Sequence, residues 1–126
     1  MLFVVPGFGN AFEIPDAWWE FCDMSSFKRG SDYYPYDPGA TSVEVLDLRQ
    51  VSPPQRDPGL APFRKYKMVP VLLAFTSPEC ALPPIRVVKT ASGYAVRNGF
   101  HRFYASVAVG YKSVPTVVLP NDNASA

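Results

Sequence analysis

A small single-domain α/β fold, built on one mixed sheet with helices, is what this sequence predicts, and three observations carry it. The chain has 126 residues, 48% of them hydrophobic and 18% charged, enough apolar surface for one core and too little for two domains. Short β-like runs at 84–89, 93–97 and 114–119 are interleaved with helical periodicity near 69–76 and 100–109. Proline is used 14 times, about twice the average of ~5%. Each proline fixes φ and removes a donor, so long helices are excluded over much of the chain. The longest stretch free of it, between Pro84 and Pro115, is the one place in the second half for a full helix.

Taken in order, the apolar start Met1–Pro6 has no basic flank and is too short to span a membrane, so a cytoplasmic protein is expected. Residues 14–24 predict a short helix, with Pro15 in its first turn and Asp16 complementing the dipole. Trp18 and Trp19 are neighbours and point about 100° apart on such a helix. Packing in the core is expected of them before a base-stacking platform. Residues 25–42 read as an irregular loop, whose Tyr33, Tyr34 and Tyr36 either line a ligand or pack their rings on the domain. A strand is predicted at 43–51, followed by a stiff connection through Pro53, Pro54, Pro58 and Pro62. Helical character returns over 63–76, where Pro70 is expected near the first helical position of a regular helix starting at 69. The polar 120–126 tail is expected to fray. One domain of residues 1–126 results, with an N-terminal extension (1–42), a core (43–119) and the tail.

The most informative stretch runs from Val96 to Ser106. Phe100, Phe103, Tyr104, Val107, Ala108 and Tyr111 recur at the spacing of one apolar helix face, with Asn98 or Gly99 as N-cap and Gly110 as the stop. A strand feeding a helix through Asn98-Gly99 leaves amides unpaired at a positive dipole end, and His101 and Arg102 add donors there. In outline this is an anion site.

The charge balance is nearly even, 12 basic against 11 acidic residues. A protein held to nucleic acid mainly through phosphates would carry a basic excess. Cys22 and Cys80 are far apart and there is one histidine, so no zinc set is expected and both thiols are read as reduced.

Asn98-Gly99-Phe100-His101-Arg102, with Tyr104-Ala105 and the run from Gly110 to Val118 behind it, resembles the Gly-x-His-Arg box of the ParB/sulfiredoxin superfamily. Leu82-Pro83-Pro84-Ile85-Arg86-Val87 resembles the Pro-Pro-Ile lead-in that precedes that box, and the segment from Val45 to Arg56 resembles the family's first strand. The resemblance spans residues 43–119 in order. It implies a ParB/sulfiredoxin-like fold in which the helix at the box holds nucleotide phosphates, as ATP or CTP with Mg²⁺, and no metal held by the protein alone. Carried over by position, Asn98, Gly99, Phe100, His101 and Arg102 would form the cradle, and Lys67 or Lys65 would complete it.

Two departures matter. Sulfiredoxins have their nucleophilic cysteine where this chain has Phe100, so sulfinic-acid reduction is not expected. Related serine kinases have an acidic residue where this chain has Asn98, which cannot act as a base. A carboxylate such as Glu44, Asp47 or Glu79 would have to serve instead. No helix-turn-helix pattern follows residue 119, and sequence-specific DNA binding is not expected. The expectation is a nucleotide-binding protein, with hydrolysis of the nucleotide or phosphate transfer from it left open. Its alternative is a non-enzymatic interaction module, met by a protein partner or a second copy through the aromatic N-terminal third.

Overall fold

The structure, a computed structural model, describes residues 1–54, 63–77 and 81–120. Pro58, Pro62, Glu79, Cys80 and residues 121–126 lie outside them. The chain opens with an antiparallel ribbon, β1 (Leu2–Val4) and β2 (Ala11–Glu13), paired Phe3 to Phe12. Helix α1 (Asp16–Phe21) follows Pro15 with Asp16 in its first turn. Trp19 is buried and Trp18 half-buried against the core, so both tryptophans pack structurally.

Five strands form the main sheet: β3 (Val43–Asp47), β4 (Val51–Ser52), β5 (Ile85–Lys89), β6 (Tyr94–Asn98) and β7 (Ser113–Leu119). Their spatial order is β3-β7-β5-β6-β4, with β5 parallel to β7, β4 parallel to β6, and the other pairs antiparallel. The single strand predicted at 43–51 is therefore two strands on opposite edges. Between them a 3-10 turn, Leu48–Gln50, is nucleated by the Asp47 carboxylate, which accepts from the Arg49 amide at 2.8 Å. Leu48, its first residue, is fully buried, and an apolar residue drawn inward at a turn breaks the strand's alternation.

Helix α2 spans Lys65–Thr76 and contains Pro70, so it begins four residues before the predicted start at 69. Pro70 cannot donate to the Tyr66 carbonyl. That carbonyl belongs to an exposed residue and can be hydrated, whereas Met68, Val69 and Leu72 are buried on both sides of the proline. Burial of this face outweighs the lost bond.

Helix α3 (Phe100–Val109) matches the predicted span, with Gly99 as N-cap at φ 121°. It ends in a Schellman motif: Gly110 donates to the Val107 carbonyl at 3.1 Å and Tyr111 to the Ser106 carbonyl at 3.0 Å. Phe103, Tyr104, Ala105 and Val107 are buried, and α3 packs against α2. The N-terminal third belongs to the same core. Phe12 meets Tyr104 and Phe63 edge-on with centroids 4.9 and 6.0 Å apart, and Tyr34 stacks on Phe75 at 5.5 Å.

Two substitutions test this packing. Phe103→Ala should cost ~3–5 kcal/mol and lower the melting temperature sharply. Gly93→Ala should also destabilise, because a methyl there would stand 2.5 Å from the Gln50 carbonyl oxygen. An unchanged melting temperature in either variant would contradict the assigned packing.

Candidate functional site

Strand β6 rises to Asn98, the chain turns at Gly99, and α3 begins at once. Glycine is required at this turn for two reasons. Its φ of 121° is strained for any L side chain, and a Cβ would touch both γ-carbons of Ile85 at 3.0 Å. The start of α3 thus lies tight on β5, and no side chain caps it. Its first amides and the positive end of its dipole open into a cleft of about 520 Å³ between α2, β6 and α3.

Lys67 and Pro70 from α2, Arg97 from β6, and Gly99, Phe100 and His101 are among the residues lining that cleft. No carboxylate lines it among the described residues. Tyr66, 70% exposed, stands at the rim with the Lys67 ammonium 6.0 Å from its ring centroid. Of the two candidate lysines, Lys67 lines the cleft and Lys65 does not.

The two side chains at the heart of the box are held by the protein itself. Arg102 donates through Nη1 to the carbonyls of Pro83 (2.7 Å) and Pro84 (3.0 Å), and through Nη2 to Asn98 Oδ1 (3.2 Å). The Tyr34 hydroxyl donates to the same Pro83 carbonyl at 2.7 Å, and burial raises its pKa although Arg102 lies beside it. Arg102 therefore clasps the Pro83-Pro84 segment to the start of α3. His101 accepts the Arg64 amide on Nε2 at 3.1 Å, an arrangement that requires the neutral ring. Its pKa is lowered by burial first, then by the charges of Lys67 and Arg64.

The carboxylates proposed as bases are not brought to this cleft. Asn98 is level with Arg86, Val117 and Val43 across the sheet. Asp47 is four residues further along β3, and its carboxylate is bonded to Arg49 Nε and Nη2 at 3.2 Å each. Glu44 is three strands away from β6. Glu79 lies outside the described residues. No group of three or more His, Cys, Asp or Glu suited to a metal occurs among the described residues.

Arg97 is the site residue that sequence reading missed. Its signal was its place at the end of the strand feeding the box, where a side chain at the sheet's rim reaches toward the helix start. A second cleft, of about 730 Å³, is lined by Cys22, Phe27, Tyr33, Phe75 and Tyr111 and mixes Lys28 with Asp23. It has no helix start and no concentration of one charge. Compared with protein-family models and with curated proteins, the chain finds no match in either.

Arg102→Ala should destabilise the fold by roughly 1.5–3 kcal/mol, the scale of hydrogen bonds from a charged donor. Arg102→Lys should recover only part, since an ammonium cannot span two carbonyls and an amide oxygen; chemical denaturation measures both. His101 supplies a pH test. A histidine whose folded pKa lies below its unfolded value of 6.5 leaves stability intact above that pH, and stability falls as the unfolded chain takes up the proton first. Melting temperature should drop as pH falls below about 6.5, and His101→Gln should flatten that part of the profile.

Proposed function

We propose that this protein binds the phosphate groups of a nucleotide at the start of α3. The observation that carries the reading is an uncapped ten-residue helix opening into a cleft lined by Lys67 and Arg97 with no carboxylate among its described lining residues. Amides and the cations Lys67, Arg97 and Arg102 around one cavity favour a polyanion over a neutral or cationic ligand. The resemblance to the ParB/sulfiredoxin superfamily agrees with this choice of ligand, because its box coincides with the turn at Gly99. A cytoplasmic setting, where nucleoside triphosphates are held, fits the same reading. No helix among the described residues is long and apolar enough to cross a membrane.

The division of labour at the box differs from a direct transfer of the motif. Arg102 would act by ordering the Pro83-Pro84 segment and Asn98 around the turn, while the Phe100 and His101 amides, Lys67 and Arg97 would meet the phosphates. Neutral His101 can donate through Nδ1 while its Nε2 remains on the Arg64 amide. Any Mg²⁺ would arrive on the phosphates, since the described lining residues supply no hard oxygen anion to hold it. With no carboxylate among the described lining residues to act as base, binding is favoured over phosphoryl transfer.

Titration calorimetry with ATP, CTP, GTP and pyrophosphate, with and without Mg²⁺, tests the proposal. Lys67→Ala and Arg97→Ala should each weaken binding about tenfold, equal to ~1.4 kcal/mol and close to the lower end of what a charge-assisted hydrogen bond contributes. Amide resonances of Phe100 and His101 should shift on titration. Binding that leaves those amides unmoved, or no binding by any of the four ligands, would refute it.

A further inference from the structure

Ribbon β1–β2 carries a feature independent of the cleft. Its register, Leu2 to Glu13, Phe3 to Phe12 and Val4 to Ala11, sets which backbone groups face inward. Val5 donates to the Asn10 carbonyl at 2.8 Å, and Ile14 to the Met1 carbonyl at 3.0 Å. In an antiparallel ladder such paired positions alternate with positions that point away. Residues 1, 3 and 5 therefore pair with β2, and the N–H and C=O groups of Leu2 and Val4 point out from the other edge. Their side chains are 70% and 56% exposed, so the edge is open to solvent. Natural sheet edges are guarded by shortness, a charge, a proline or a bulge; β1 is short and is followed by Pro6, but from Leu2 to Val5 it has no charged side chain, proline or bulge.

We infer that β1 pairs antiparallel with β1 of a second copy of this chain, across a two-fold axis at Phe3, to make a four-stranded sheet. The choice of a second copy comes from the number and spacing of the exposed groups. The edge offers two amides and two carbonyls and then stops, because the next outward position is Pro6, which has no amide. Centred on Phe3, self-pairing sets Leu2 opposite the partner copy's Val4 and Val4 opposite its Leu2. Each hydrogen-bonded pair makes two bonds, so all four groups of each copy are satisfied and none is left over. The same register places the exposed Leu2 and Val4 side chains beside their counterparts on one face, where cross-strand aliphatic pairs stabilise a sheet. A two-fold contact of this kind closes at two copies instead of growing into a fibre. With so short a ladder the association is weak.

Sedimentation equilibrium from micromolar to millimolar chain, paired with amide exchange by NMR, tests the inference. A monomer–dimer equilibrium is expected, in which exchange of the Leu2 and Val4 amides slows as the dimer forms. Leu2→Lys with Val4→Lys places like charges opposite each other and should abolish the dimer without lowering the melting temperature of a monomer in which both side chains are exposed. Mixing that variant with Leu2→Glu/Val4→Glu should restore a dimer. Three results would each overturn the inference: a monomer throughout the concentration range, a dimer whose Leu2 and Val4 amides exchange as fast as in dilute solution, or a dimer that persists in the folded lysine variant.

Discussion

The three-residue link Leu48–Gln50 is the constraint from which the rest of the architecture follows. It joins the two edge strands of a five-stranded sheet. Four residue steps from Asp47 to Val51 reach at most ~14 Å, whereas the edges of a flat five-stranded sheet stand ~19 Å apart. The sheet has to curl. Curling presses the Gln50 carbonyl against Gly93, where there is no room for a Cβ. It also lets β4 run parallel beside β6 and carries Pro54 over α3, where it accepts a 2.7 Å bond from the Tyr104 hydroxyl and becomes one wall of the cleft.

The many prolines explain why the box is built as it is. A proline-rich segment has few amides to give and leaves carbonyls without ladder partners. Here those carbonyls are met by long side chains: Pro54 by Tyr104, Pro83 by Tyr34 and Arg102, Pro84 by Arg102 again. Two of these three donors stand on α3. The helix therefore has a structural role along its length, tying two irregular segments to the core, and a free start where the chain turns at Gly99. Arg102 lines the cleft but commits both hydrogens of Nη1 and one of Nη2 to the protein's own oxygens, which holds its guanidinium in a fixed orientation. Lys67 and Arg97, which have no such backbone partners among the described residues, share the cationic lining of the cleft with it.

Neutral His101 belongs to the same economy of polar groups. Its ring accepts the amide of Arg64, the N-cap of α2, and so connects the starts of the two helices that flank the cleft. Burial first, and then the charges of Lys67 and Arg64, favour the neutral ring.

Local physics was sufficient for much of the fold. Periodicity and the glycines at 99 and 110 placed α3 within its observed bounds, and alternation between turn residues placed β5, β6 and β7, because neighbouring residues decide those elements. The sequence also contained the turn at Gly99 into a helix start without a side-chain cap, since both need nothing from afar. What only the tertiary structure decided depends on contacts between distant residues. A buried Leu48 divides the run 43–51 between opposite edges of the sheet, and burial of Met68, Val69 and Leu72 carries α2 through Pro70. The partners of Arg102 and His101 lie 18 to 37 residues away as well as at Asn98, so a motif could name these side chains without saying whether they face a ligand or the protein's own backbone.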